Sequence, residues 1–257
     1  MNGRPDFSVI LTCYNEERSI RDFHARVTKT MRALGRPYEV LMVNDSSPDR
    51  TLEVLNELFD GDPATTMLAD FERNSGQAAG HTVAITEARG RALVFIDSDL
   101  QVDPEDIPLL VAAYDKDMDL VGGRRVQRHD PLFRRAASAC ANWLIRRITG
   151  TPLLDVFCGF KIIDTEIVKS FGYGPRRLFR IVEVMRACPR SCEVPVSHHA
   201  RPHGRSGWTL LRLAGLLLDA VRVSLTPAGA ARGHAGGPPL YTVRTLRRKP
   251  GKETEDQ

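Results

Sequence analysis

The sequence predicts an α/β fold in which a mostly parallel central sheet has helices on both faces. Two observations lead to this prediction. Short apolar runs alternate with segments whose apolar residues recur at helical spacing, as in β-α-β units. Polar and acidic residues follow several of the apolar runs, at the position where parallel sheets of this class bind ligands.

The first half of the chain supplies five predicted strands and four predicted helices. The run FSVILTC is apolar almost throughout and predicts a strand buried on both faces. In RTLEVLNELF, by contrast, the apolar residues share one face of a helix. Pro104 is expected to begin a helix, because proline is favoured in the first turn. The strands are predicted at 7–13, 38–44, 65–70, 92–97 and 119–123, and the helices at 16–34, 50–59, 76–90 and 104–114.

The second half is less regular. Its predicted elements are a helix at 131–150, strands at 155–164 and 191–199, and an amphipathic helix at 210–225. Beyond Pro227 the chain is rich in glycine, proline, alanine and charge, a composition that predicts disorder. We therefore expect one domain over residues 1–207, an amphipathic segment at 208–226 and a disordered basic tail at 227–257.

Composition and charge limit the classes of partner. The chain has 257 residues, of which 42% are hydrophobic and 26% are charged, as in a soluble globular protein. Its net charge of +4 is uneven, because residues 201–257 hold ten Lys or Arg and four Asp or Glu. A basic C-terminal part favours an anionic partner, such as a membrane surface, a nucleic acid or a phosphate-bearing substrate.

Cysteine usage and the length of the apolar runs indicate the compartment. The five cysteines include no CxxC pair, which fits a reducing environment. The N-terminus, MNGRPDFS, has no signal-peptide character, and no run of about 18 apolar residues occurs. We expect a cytoplasmic protein without a membrane span.

Acidic residues cluster where the fourth strand is predicted to end, in the stretch VFIDSDLQVDPED. Asp97 and Asp99 lie on one turn, where two carboxylates can share a hard divalent cation, Mg²⁺ or Mn²⁺, with a diphosphate. A solvated acidic turn is the alternative that an isolated Asp-x-Asp pair favours. Asp103, Glu105 and Asp106 are instead expected in the first turn of the next helix, with Asp103 as its N-cap.

The other predicted strand ends are polar as well. The first strand ends in TCYNE, the second in NDSSPD, and the third leads to RNSGQ. Neither a Gly-x-Gly-x-x-Gly sequence nor a Walker loop follows the first strand, which argues against dinucleotide and P-loop binding. Acids in place of glycines suggest that phosphate is reached through a metal ion.

Seven motifs occur in a recognisable order: TCYNE, VNDSSPDRT, RNSGQAAG, DSDLQVDPE, VGGRR, DVFCGFKII and EVPVSHHARPHGRSGWTLLRL. Through them the chain resembles the family 2 glycosyltransferases of the GT-A fold, above all the dolichyl-phosphate mannose synthase-like group that uses polyprenyl phosphates. The resemblance covers about residues 7–225 and implies a Rossmann-like nucleotide-diphospho-sugar transferase domain. The chain departs from the family pattern at Thr12 for proline, Asn44 for an acid, Ser46 for glycine and Gly207 for lysine.

The resemblance implies a donor site at the strand ends. The nucleotide-sugar-binding residues would be Tyr14, Glu16, Asp45, Asn74, Gln77, Asp97 and Gln101, and the metal ligands would be Asp97 and Asp99. Taken without the resemblance, the same side chains have plain structural roles. Glu16 would be an acid at a helix N-terminus, Asp45 would form an Asx turn, and Asn74 would precede a helix.

The resemblance also implies an acceptor site, with Asp99 and Asp155 as catalytic residues. In many inverting transferases a carboxylate at the position of Asp155 removes a proton from an acceptor hydroxyl. A polyprenyl phosphate is already an anionic nucleophile at pH 7, because its second pKa is about 6, so Asp155 could position it instead. The expected acceptor-phosphate ligands are Arg124, Arg201, Arg205 and Ser206, with a solvated basic surface as the alternative for the arginines.

The amphipathic segment fits a peripheral membrane contact. Residues 210–225 place their leucines and other apolar residues on one face and are too short and too charged to span a bilayer. Ordinary packing of that face on the domain is the alternative. Nucleic acid binding is not expected, because the basic tail lacks interleaved aromatic residues.

Together with these features, the resemblance implies an inverting, metal-dependent glycosyltransferase that moves a hexose from a nucleotide-diphospho-sugar to a polyprenyl phosphate on the cytoplasmic face of the membrane. Two alternatives remain. A transferase of the same fold could act on a sugar hydroxyl in polysaccharide or glycolipid synthesis. A non-catalytic subunit could bind a nucleotide-sugar or a lipid, as the changes at Asn44 and Ser46 would allow.

Overall fold

A single eight-stranded sheet organises the chain, with helices on both faces. The computed structural model describes residues 4–126, 132–199 and 238–250. The strands are β1 Phe7–Cys13, β2 Tyr38–Asn44, β3 Thr65–Phe71, β4 Ala92–Phe95, β5 Leu120–Arg125, β6 Lys161–Asp164, β7 Ser191–Val196 and β8 Val243–Arg248. The helices are α1 Ile20–Ala33, α2 Thr51–Gly61, α3 Gln77–Glu87, α4 Ile107–Tyr114, α5 Leu132–Thr149, α6 Thr165–Lys169 and α7 Ile181–Arg186.

The sheet is mostly parallel, as predicted. Its strand order is β7-β5-β6-β4-β1-β2-β3-β8. The central strand β1 pairs in parallel with β2 and β4, β2 pairs in parallel with β3, and β5 does so with β7. Among the strands in the described ranges, β6 and β8 alone run antiparallel to their neighbours. The predicted α/β class is therefore confirmed.

Side chains alternate between the two faces of the sheet along each strand, so the core has two layers. In β1, Phe7, Val9 and Leu11 pack with α1 on one face of the sheet, while Ile10 packs on the other face against α3. Helix α3 lies so close to β1 that a Cβ on Gly80 would come within 2.7 Å of the Thr12 side chain. That close approach fixes the start of α3 beside the end of β1.

Two predicted elements differ notably in their bounds, and a third cannot be compared. The helix expected from Pro104 begins as a short 3-10 turn, Pro104–Asp106, before α4. The strand expected over 155–164 is reduced to β6, because the preceding residues turn, with the Cys158 amide donating to the carbonyl of Asp155. The helix predicted at 210–225 lies outside the described residues.

The tail predicted to be disordered contains a strand, so that prediction is wrong for residues 243–248. β8 pairs antiparallel with β3 and satisfies backbone groups that an edge strand leaves open. Tyr241 stacks on Phe71 with ring centroids 5.2 Å apart, and Arg247 lies over the ring of Phe59 at 4.5 Å. These contacts stabilise residues 243–248 as a strand, although the average composition of the tail indicates disorder.

Within the part of the chain that the structure describes, every helix is too short or too polar to cross a bilayer.

Candidate active site

Four parallel strands end at one edge of the sheet and bring the predicted donor residues together. Cys13 at the end of β1 lies opposite Asn44 at the end of β2, and Asn44 lies opposite Asp70 near the end of β3. β4 lies on the other side of β1 in the same direction. The loops after these strands therefore form one continuous rim, as ligand sites in parallel sheets do.

The Asp97–Asp99 turn is held in place from both sides. Gln77 donates from Nε2 to Oδ1 of Asp97 at 2.6 Å, and the backbone N–H of Gln101 donates to Oδ1 of Asp99 at 3.1 Å. The buried Ser98 between them donates to the carbonyl of Thr12 at 3.3 Å, which ties the turn to β1. The structure thus brings three predicted donor residues, Gln77, Asp97 and Gln101, to the same turn as Asp99.

Gly159 and Lys161 lie near Asp97 and help to accommodate its carboxylate. A Cβ on Gly159 would come within 2.1 Å of Oδ2 of Asp97, so the glycine makes room for that carboxylate. Lys161 is buried nearby, and its Nζ donates to the carbonyl of Cys158. Burial lowers the pKa of Lys161, while the negative charges around it, including those of Asp155 and Asp97, act in the opposite direction.

Asp45 is buried at the end of β2 and shapes the loop before α3. Its carboxylate accepts hydrogen bonds from the backbone N–H groups of Ser75 at 2.6 Å and Gly76 at 2.9 Å. Burial raises the pKa of Asp45 even though these two donors favour the charged form. Asn74 donates to the carbonyl of Asp45 at 3.4 Å, so these two predicted donor residues are neighbours.

Tyr14 and Glu16 follow β1 on the same rim. Tyr14 is 46% exposed, which leaves its ring accessible to a ligand. The backbone N–H of Glu16 donates to Oγ1 of Thr51 at 2.8 Å, and its carboxylate accepts from the hydroxyl of Ser19 before α1. The Glu16 carboxylate therefore contacts the residue at the N-cap position of α1, and its nucleotide-binding role remains a prediction.

Asp155 lies in a buried ion pair with Arg125. Nε and Nη2 of Arg125 donate to the two carboxylate oxygens at 2.8 Å each, and the backbone N–H of Arg125 adds a third bond at 3.2 Å. The N–H of Asp155 donates to Glu193 at 2.6 Å. This arrangement suits a residue that fixes the end of β5, and the catalytic role expected of Asp155 remains a prediction.

The predicted acceptor ligands are only partly visible. Arg124 is exposed at the end of β5, next to the buried ion pair. Arg201, Arg205 and Ser206 lie outside the described residues. Their assignment to an acceptor phosphate remains a prediction.

Asp103 lies at the predicted N-cap position of the 3-10 turn, and Glu105 and Asp106 lie in its first turn, but the capping hydrogen bond expected of the Asp103 side chain is wrong. Its carboxylate makes no cap hydrogen bond. It accepts instead from Arg26 at 2.6 Å and lies 2.7 Å from Nε2 of His199. Arg26 also binds Glu105 in a bidentate manner. Arg26 lies on α1, within reach of both carboxylates. Hydrogen bonds between oppositely charged groups are stronger than those between neutral groups, which favours this pairing over a cap.

Similarity to known proteins agrees with this geometry. Residues 8–172 match the family described as Glycosyl transferase family 2. The chain belongs to that family and is a glycosyltransferase.

Curated relatives cover most of the chain. It is 33% identical over 225 residues to the undecaprenyl-phosphate 4-deoxy-4-formamido-L-arabinose transferase of Edwardsiella ictaluri (strain 93-146), over 87% of this chain and 69% of that protein. It is 35% identical over 238 residues to the dodecaprenyl-phosphate galacturonate synthase of Rhizobium johnstonii, over 90% of this chain and 70% of that protein. Both relatives are thus named as polyprenyl-phosphate sugar transferases.

Solved structures confirm the GT-A fold. One is the glucosyl-3-phosphoglycerate synthase from Mycobacterium tuberculosis with Mn²⁺, uridine diphosphate and phosphoglyceric acid, at a TM-score of 0.62 and 18% identity. The alignment covers 95% of this chain and 88% of that one. TarS from S. aureus with UDP-GlcNAc gives a TM-score of 0.56 and 20% identity, over 84% and 66% of the two chains.

Three residues of the site escaped the sequence prediction although the quoted motifs contain them. In VGGRR the arginine of the family pattern V-x-G-S-R falls at Arg125, not at Arg124. In DVFCGFKII the small residue and the basic residue of the pattern fall at Gly159 and Lys161. Reading each motif position by position would have found all three.

Proposed function

We propose that this glycosyltransferase moves a hexose from a nucleotide-diphospho-sugar to a polyprenyl phosphate, with inversion at the sugar carbon. The observation that carries the proposal is the similarity over 85–90% of the chain to relatives named for such lipid acceptors. The rim at the strand ends supports it, since Asp45, Asn74, Gln77, Asp97 and Asp99 lie together there.

The residues on the rim fit a divalent cation whose remaining ligands would come from the donor substrate. Asp97 and Asp99 offer carboxylate oxygens, which Mg²⁺ and Mn²⁺ prefer. Among the described residues, no group of three or more His, Cys, Asp or Glu could enclose a metal ion. Two carboxylates with the donor diphosphate supply a suitable set. When bound there, the cation would offset the charge that develops on the departing nucleoside diphosphate.

The chemistry asked of the protein side chains is modest. An oxygen of the acceptor phosphate attacks the anomeric carbon, the bond from that carbon to the donor diphosphate breaks, and the electron pair leaves with the nucleoside diphosphate. The acceptor phosphate is anionic at pH 7, so this step needs no general base. Asp155, held by Arg125, then serves to position the end of β5 next to Arg124.

The lipid acceptor also indicates where in the cell the enzyme acts. A polyprenyl phosphate is embedded in a bilayer, so we infer peripheral attachment on the cytoplasmic face. Helix α5 supports this attachment, because Trp143 is 62% exposed on it and Arg146 and Arg147 occupy its last turn. The predicted amphipathic segment at 208–226 would add to it.

A matched pair of acceptors tests the proposal. The enzyme is incubated with radiolabelled nucleotide sugars and Mn²⁺, and with either undecaprenyl phosphate or undecaprenol, which lacks the phosphate. Label should enter the lipid phase only with the phosphorylated acceptor. Transfer to a glycan hydroxyl, with none to undecaprenyl phosphate, would favour the polysaccharide or glycolipid alternative. Donor binding without turnover of any acceptor would favour a non-catalytic subunit.

A further inference from the structure

The C-terminal strand β8 carries an arginine that reaches toward the donor rim. Arg244 donates from Nη1 to Oδ2 of Asp70 at 3.0 Å and from Nη2 to the carbonyl of Glu72 at 3.1 Å. The carboxylate of Asp70 is almost fully buried, whereas Arg244 is half exposed. Arg244 thus supplies positive charge to a buried carboxylate on β3.

The second oxygen of Asp70 connects this contact to the loop that holds Asp45. Asn44 donates from Nδ2 to Oδ1 of Asp70 at 2.7 Å, and its own Oδ1 accepts from the backbone N–H of Ser47 at 3.4 Å. Asn44 is buried and directly precedes Asp45. A continuous set of hydrogen bonds therefore runs from β8 through β3 to the loop after β2.

Asn44 is also the position at which the chain departs from the family pattern, where an acid is usual. An aspartate here would face Asp70 at hydrogen-bonding distance, and two carboxylates that close repel each other. The amide removes this repulsion and donates to Asp70 instead. Asn44, Asp70 and Arg244 thus form a mutually consistent set, and its last member lies beyond the matched family region of residues 8–172.

We propose that Arg244 is a positioning residue for the donor nucleotide, acting through Asp70 and Asn44 on the loop that carries Asp45. The inference rests on the proposed function, in that the rim binds a nucleotide-sugar. The strand β8 would then be part of the donor site's support as well as an edge of the sheet.

The same strand supplies a matched control. Arg247 donates to Oδ1 of Asn56 at 2.6 Å and to Oδ1 of Asp60 at 2.5 Å, and both partners lie in the second half of α2. Those contacts anchor β8 without reaching the rim. A purely structural role of β8 predicts that Arg244→Gln and Arg247→Gln behave alike.

The experiment compares these two variants in the full-length protein. Hydrogen exchange of the free protein is followed at the amides of residues 45–47 and 75–76, and the KM for the nucleotide-sugar is measured at saturating undecaprenyl phosphate. Arg244→Gln should speed exchange at these amides and raise the donor KM about tenfold with little change in kcat, because one charged hydrogen-bond set is lost. Arg247→Gln should leave both close to wild type, and Arg244→Lys should recover part of the loss.

Equal exchange at these loops in the two glutamine variants would overturn the inference, whatever the donor proves to be. Equal donor KM values in the two variants would overturn it too. A wild-type protein that neither binds nor turns over any nucleotide-sugar would contradict the proposed function instead, and the exchange measurement on the free protein would still decide whether Arg244 orders the loop.

Discussion

The buried pair between Asp155 and Arg125 allows a stability role to be separated from a catalytic one. The two side chains are 7% and 18% exposed, so solvent screens their attraction poorly. Asp155→Asn keeps the shape of the side chain but removes the negative charge to which Nε and Nη2 of Arg125 donate. Breaking a buried pair from one side costs about 3–5 kcal/mol, and the partial exposure of Arg125 places the expected loss near the lower end, at about 3 kcal/mol.

Thermal unfolding measures this loss. In a domain of this size, about 3 kcal/mol corresponds to a fall in melting temperature of roughly 6–12 °C. Asp115→Asn is the matched control, because Asp115 pairs with Arg36 at a site where its side chain is 44% exposed. Exposed pairs contribute less than about 1 kcal/mol, so the control should melt close to wild type.

Activity then distinguishes positioning from proton abstraction. A positioning role predicts that Asp155→Asn, assayed below its melting temperature, retains measurable transfer to undecaprenyl phosphate with an unchanged pH dependence. Adding Arg125→Gln should restore part of the lost stability, because the buried positive charge that the Asp155 carboxylate had offset is removed as well. A variant that melts like wild type but transfers no sugar would refute this reasoning and assign Asp155 as the general base.

Three further outcomes are expected. Asp99→Asn should abolish transfer while the melting temperature stays near wild type, and turnover by this variant in EDTA would contradict a metal role. Gly159→Ala should displace the carboxylate of Asp97 and remove the stabilisation that Mn²⁺ with a nucleoside diphosphate gives wild type, as seen by calorimetry. Asp103→Asn should cost about 1–2 kcal/mol at pH 7. Burial raises the pKa of Asp103, but hydrogen bonds from its histidine and arginine partners outweigh it and hold the pKa below the usual value. That contribution is therefore lost as the pH falls below about 4, and the urea-unfolding difference from wild type should vanish there.

The parallel half of the sheet could be predicted from the sequence because its strands are buried on both faces. A run such as Phe7–Cys13 is almost wholly apolar, and polar residues mark its end. The same logic placed the donor residues on one rim, since parallel strands end at one edge. The strand expected over 155–164 is shorter than predicted because its first residues form a turn, in which the Cys158 amide donates to the carbonyl of Asp155.

Long-range charge pairing was the main feature that the sequence did not disclose. Arg26 lies far from Asp103 in the chain, and Arg244 lies farther still from Asp70. Asp103 lies at the N-cap position that local rules predict, but its carboxylate contacts Arg26 and His199, which are distant in sequence. β8 was missed because a strand that pairs with an existing edge needs no strongly apolar pattern of its own.

In the proposed reaction the acceptor nucleophile is a lipid phosphate. The most direct measurement is mass spectrometry of the lipid product formed from undecaprenyl phosphate, a nucleotide-sugar and Mn²⁺, followed by mild acid hydrolysis. We expect a product heavier than the acceptor by one sugar residue, from which acid releases free sugar. A product whose sugar is attached to another sugar's hydroxyl, with undecaprenyl phosphate unconsumed, would contradict it.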